Sequence, residues 1–122
     1  MKRAILLVDH GSRRAEANAL LDEVADRVRE RAEEFIVEVA HLEIGSPSIA
    51  QGIEACVRGG AEQIIVHPFF LGPGRHTTED IPKQVEGAAR AHPNIRIRIS
   101  EPLGGHDALI DAILDRVGDV DR

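Results

Sequence analysis

Ala4-Ile5-Leu6-Leu7-Val8-Asp9-His10-Gly11-Ser12 decides the fold. Five apolar residues in a row read as a strand buried on both faces, as in a parallel sheet. A polar turn with a glycine follows. Ala17, Leu20, Leu21, Val24 and Val28 then recur at helical spacing, so a helix is expected from about Arg13 to Glu33, with Ser12 as its N-cap. The same strand-then-helix alternation repeats three more times. Phe35–Leu42 reads as strand two, and Ser46-Pro47 as N-cap and first residue of a helix that carries Ile49, Ile53, Cys56 and Val57 and ends at Gly59-Gly60. Ile64–Phe70 reads as strand three. Its following helix starts near Thr78 and keeps Pro82 in its first turn, where a missing N–H does no harm. Ile95-Arg96-Ile97-Arg98-Ile99 alternates, which suits an edge strand. Leu109, Ile110, Ile113, Leu114 and Val117 mark the last helix, with Gly118 to Arg122 expected to fray.

Strands alternating with helices through short links imply an α/β fold. The expectation is one three-layer domain over residues 1–122: a four-stranded parallel sheet in the flavodoxin-like order 2-1-3-4, with helices on both faces. The core is aliphatic, with 43% hydrophobic residues but three Phe, no Tyr and no Trp. So few aromatics, with a net charge of −6, speak against nucleic-acid and anionic-membrane partners. Cys56 is the only cysteine, so no intrachain disulfide forms, which fits a reducing cytosol. The apolar run after Met1-Lys2-Arg3 is short for a signal peptide, and no stretch reaches the roughly 20 residues of a membrane span.

Ligands of open parallel sheets sit beyond the carboxyl ends of the strands. His10, Glu43 and His76 follow strands one, two and three, and neighbouring strands lie about 4.8 Å apart, so the three side chains are expected to converge. Imidazole and carboxylate together suit a divalent metal ion or proton transfer. His106 joins the same rim after strand four, with its role left open. Arg13, Arg14 and Arg75 stand beside the histidine loops and are candidates for carboxylate binding, as is Ser12. Asp9 either orients His10 or holds the loop. His41, two residues from Glu43, can share its face, and we read it as structural. His67 reads as a half-buried structural residue, His92 as a solvent-facing residue at a helix end, and Cys56 as core.

Several signatures are missing. Gly72-Pro73-Gly74-Arg75-His76 lacks the Gly-Lys-Ser/Thr ending of a phosphate loop. There is no Gly-x-Gly-x-x-Gly after strand one, no Gly-x-Ser-x-Gly around Ser12 and no His-x-x-x-His helix pair. A phosphorylated His10 backed by Arg13 and Arg14 is therefore a minor alternative.

Three blocks carry a family resemblance: Asp9-His10-Gly11-Ser12-Arg13-Arg14; Ala40-His41-Leu42-Glu43 with Pro47-Ser48-Ile49; and Pro68-Phe69-Phe70-Leu71-Gly72-Pro73-Gly74-Arg75-His76 with Asp80-Ile81-Pro82. Together, and with Glu101-Pro102-Leu103-Gly104, the chain resembles the sirohydrochlorin chelatases, the small class II tetrapyrrole chelatases. The resemblance implies ATP-independent insertion of Fe²⁺ or Co²⁺, and in some relatives Ni²⁺, into sirohydrochlorin, on the routes to siroheme, cobalamin or a nickel tetrapyrrole. It assigns metal handling and proton removal to His10 and His76, with Glu43 as the acidic partner. It also implies a homodimer that rebuilds the cleft of longer, two-domain relatives, and a cytoplasmic location. No iron–sulfur cluster is expected, because the cysteine-rich segment of plant-type relatives is missing. A non-catalytic carrier of metal or tetrapyrrole on the same fold is the alternative.

Overall fold

The computed structural model describes residues 1–121, and the side chains of His76 and Thr77 fall outside the described residues. Its elements are β1 (Arg3–Gly11), α1 (Ala15–Arg31), β2 (Phe35–Ile44), α2 (Ile49–Arg58), β3 (Gln63–Pro68), a π turn (His76–Asp80), α3 (Ile81–Ala89), β4 (Arg96–Ile99) and α4 (Asp107–Asp121). The sheet is parallel, in the order β2-β1-β3-β4, as the alternation predicts.

Strand alternation builds two cores. Ala4, Leu6 and Val8 of β1 point to one face with Ile64 and Val66 of β3, and α2 and α3 cover them with Ile49, Ile53, Cys56, Ile81 and Val85. Leu7 of β1 and Val37 of β2 point to the other face, where Leu21 and Ala25 of α1 close over them. Each buried Leu or Ile contributes about 1.5–3 kcal/mol by leaving water, so the two cores fix β1, β2 and β3 firmly, while β4 adds only the partly buried Ile97. Burial raises the Cys56 thiol pKa to about 12, so it packs as an inert apolar residue.

Five expectations need correcting. Ser12 is not the N-cap of α1. Arg14 holds that position without a side-chain cap, while Asn18 clamps Ser12 from inside the helix, accepting from its N–H at 2.9 Å and donating to its carbonyl at 2.7 Å. Pro47 is not the first residue of α2. The Ser46–Pro47 peptide is cis, and Ser48 caps the helix in a reciprocal box with Gln51. The helix expected from Thr78 opens with the π turn and becomes α-helical only at Ile81, although Pro82 does lie in the first turn. Gly118–Asp121 continue α4 rather than fraying. His92 is half-buried rather than solvent-facing, and its backbone N–H donates to the Ala89 carbonyl at 2.9 Å.

Candidate metal-handling rim

The site is built at a register shift. β1 and β2 pair evenly from Arg3↔Phe35 to Asp9↔His41, and then Gly11 pairs with Ile44, so β2 carries one extra residue. Gly11 makes the shift possible. Its φ is +91°, and a Cβ there would lie 1.9 Å from the Ile44 carbonyl oxygen, so only glycine fits.

Two histidine–carboxylate pairs flank the shift. Just before it, Asp9 Oδ1 meets His41 Nδ1 at 2.5 Å, with His41 5% and Asp9 19% exposed. Just after it, Glu43 Oε2 meets His10 Nε2 at 3.0 Å, with the side chains 48% and 39% exposed. Asp9 and His10 are neighbours on one strand and project to opposite sides of it. His41 and Glu43 follow their partners, so they do not share a face as simple alternation suggests. The extra residue turns Glu43 outward. Asp9 therefore orients His41 and not His10, a partner that the sequence reading did not name.

A cleft of about 240 Å³ opens beside Glu43, lined by Leu42, Asp80, Lys83 and Gln84. Gln84 donates to the Leu42 carbonyl at 3.2 Å and so ties the start of α3 to the end of β2. Sequence reasoning missed Lys83 and Gln84. Their one signal was the spacing Asp80-Lys83-Gln84, which puts all three on one side of a helix start behind the Gly/Pro loop.

His76 opens the π turn after β3, and its side chain lies outside the described residues. The expected meeting of imidazoles 10 and 76 thus falls outside them too. Among the described residues no group of three or more His, Cys, Asp or Glu side chains gathers as a metal cage; His10 and Glu43 supply two donors. Arg13, Arg14 and Arg75 are exposed at the rim, with Arg75 Nε 3.8 Å from Glu79 of the next turn. His106 is exposed, and its Nδ1 accepts from the Ala108 N–H at 3.0 Å, an N-capping contact for α4. His67 is half-buried, as expected, with Nδ1 2.8 Å from Ser100 Oγ, and burial lowers its pKa below the usual value. The loop after β4 joins the rim through the Leu103 N–H, which donates to the Phe70 carbonyl at 3.0 Å.

The sequence profile of the CbiX family matches residues 4–120. A sirohydrochlorin ferrochelatase from the chloroplast of Arabidopsis thaliana is 44% identical over 93% of this chain and 50% of its own length. A sirohydrochlorin cobaltochelatase from Methanocaldococcus jannaschii is 34% identical over 93% of this chain and 96% of its own length. Among solved structures, the sirohydrochlorin chelatase SirB from Bacillus subtilis subspecies spizizenii, in complex with cobalt, superposes with a TM-score of 0.91 at 35% identity. The match covers 98% of this chain and 51% of that one. The chain thus spans about half the length of several relatives it matches and nearly the whole length of others.

Proposed function

The chain belongs to the CbiX family, and from that premise we propose that it inserts a divalent metal ion into sirohydrochlorin without ATP. The observation that carries this reading is the His10–Glu43 pair: 3.0 Å apart, half open to solvent, at the carboxyl ends of β1 and β2. Fe²⁺ and Co²⁺ are the candidate ions. The ferrochelatase and cobaltochelatase relatives support both, and imidazole with carboxylate accepts several first-row metals.

Chelation must strip water from the incoming ion and remove two protons from pyrrole nitrogens. Neutral imidazole does either job near pH 7. In this reading His10 and His76 divide the two tasks, one holding the ion while the other accepts a proton. Glu43 supplies negative charge to the ion and passes protons toward solvent. The macrocycle carries eight carboxylates. In this reading Arg13, Arg14 and Arg75, all exposed, receive some of them, with Ser12 and His106 as further polar contacts and Lys83 as an added cation beside Glu43. Leu71, 65% exposed next to the same loop, offers the macrocycle an apolar surface. We read residues 1–122 as one chelatase domain that works as a homodimer in the cytosol. No helix of the described residues is long and apolar enough to cross a membrane.

Purified protein, sirohydrochlorin and Co²⁺ or Fe²⁺ are mixed anaerobically and followed by absorption. The expected outcome is metallation faster than in buffer, with the excess rate removed by His10→Ala combined with His76→Ala. A rate equal to buffer overturns the reading, and an unimpaired double variant overturns the site assignment.

A further inference from the structure

Asn18 lies in the first turn of α1. Asparagine is a poor residue for a helix, because its amide competes for backbone groups. Here the competition is put to use. Oδ1 accepts from the Ser12 N–H at 2.9 Å, and Nδ2 donates to the Ser12 carbonyl at 2.7 Å. An amide offers one acceptor and one donor side by side, whereas a carboxylate of the same size offers two acceptors. The clamp grips the peptide next to His10. The Ser12 N–H and the Gly11 carbonyl belong to one planar unit and point to opposite sides of it. That carbonyl lies 3.3 Å from His10 Nδ1. A carbonyl oxygen only accepts, so the contact places a hydrogen on Nδ1. Nε2, 3.0 Å from Glu43 Oε2, is then the nitrogen that meets an ion.

The same amide also meets the loop that carries Glu43. Gly45, two residues further on, has a φ of +102°. A Cβ there would lie 3.3 Å from Asn18 Nδ2 and 3.4 Å from His41 Cδ2, so the loop runs against both side chains. The His41 N–H donates to the Pro47 carbonyl at 2.8 Å and closes that loop at its base. The helix behind Asn18 is itself fixed, because Leu21 and Ala25 are buried in the core under α1. The loops that bear the two metal donors are thus held from α1's side of the sheet. The donors themselves open on the other side, where Asp80, Lys83 and Gln84 line the cleft beside Glu43.

We propose that Asn18 is a positioning residue for metal capture. It holds the Gly11–Ser12 peptide so that the carbonyl keeps the Nδ1 hydrogen of His10 and Nε2 stays aimed at the ion beside Glu43. The proposal deepens the functional reading and rests on His10 and Glu43 as metal donors. Asn18 acts through His10. A hydrogen bond on the far nitrogen of a ligating imidazole fixes the ring and raises its basicity, and losing such support weakens metal binding about 10–100-fold.

The test titrates Co²⁺ alone into the 122-residue chain and into Asn18→Asp, Asn18→Ala and Ala25→Gly. Asn18→Asp keeps the size and the acceptor but sets a second acceptor against the Ser12 carbonyl. Ala25→Gly loosens the buried face of the same helix without touching the clamp. Both Asn18 variants are expected to weaken Co²⁺ binding about 10-fold or more. Ala25→Gly is expected to lower the melting temperature and leave the Co²⁺ affinity unchanged. Unchanged affinity in both Asn18 variants overturns the proposal. So does an equal loss in Ala25→Gly, because general loosening then suffices. Should the Asn18 variants not fold, nitrogen NMR of the wild type with Zn²⁺, a diamagnetic probe, decides, with His10 identified through His10→Ala. A hydrogen on Nδ1 with the ion on Nε2 upholds the proposal, and the reverse arrangement, or no binding of either ion, overturns it. Metal insertion into sirohydrochlorin is assayed on the same samples. A wild type that inserts metal, beside Asn18 variants that keep both affinity and rate, overturns only the positioning role. Variants that lose Co²⁺ affinity beside a wild type that inserts no metal uphold the positioning role and overturn the functional reading.

Discussion

His41 with Asp9 and His10 with Glu43 are both imidazole–carboxylate pairs, one residue apart on β1 and two apart on β2. The first is buried and closed; the second is half open. Identical donors therefore serve different ends. A buried imidazole–carboxylate pair has given up its water, and breaking it strands a polar group, so it holds the strand ends in place. An exposed pair contributes little to stability, and an incoming ion can reach it from solvent. One extra residue in β2 separates the two, and Gly11 makes room for it.

The contrast can be broken at several points, ranked by the expected effect on stability. Gly11→Val attacks the shift itself. It forces a Cβ into the Ile44 carbonyl at a positive φ, and chemical denaturation should show a loss of about 3 kcal/mol or more, with metal binding lost as well. Asp9→Ala leaves His41 buried without its carboxylate and should cost about 2 kcal/mol in the same measurement.

His67 gives a smaller, pH-dependent effect. Burial lowers its folded pKa below the unfolded value of 6.5, so the unfolded chain binds more protons. The stability it contributes is complete above pH 6.5 and is lost as pH falls through the folded pKa. Thermal melts of His67→Gln should show a shallower decline below pH 6.5 than the parent. His10→Ala should change stability least, by no more than about 0.5 kcal/mol, while lowering the metallation rate about 100-fold or more. A large stability loss for His10→Ala, or none for Asp9→Ala, would erase the distinction between the pairs.

Much of this was legible in the chain. Unbroken apolar runs such as Ala4–Val8 and Ile64–Val66 mark strands buried on both faces, and the Arg/Ile alternation of 95–99 marks an edge. Those patterns give the strand order and, with it, the rim where His10 and Glu43 stand. The caps were less legible. Ser12 and Ser46 look like N-caps, but Asn18 and Ser48 make the decisive contacts, because side chains several residues away competed for the same backbone groups.

Local chemistry thus determined which segments are strands, which are helices and which residues reach the functional edge, because periodicity is written residue by residue. Only the tertiary structure decided which carboxylate each histidine holds. That choice depends on how two strands 32 positions apart slide past one another, and a single extra residue at the sheet's end reverses which side Glu43 faces. It also left Ile110, Ile113, Leu114 and Val117 of α4 exposed, since the sequence states that a helix has an apolar side but not whether its own chain supplies the surface to bury it.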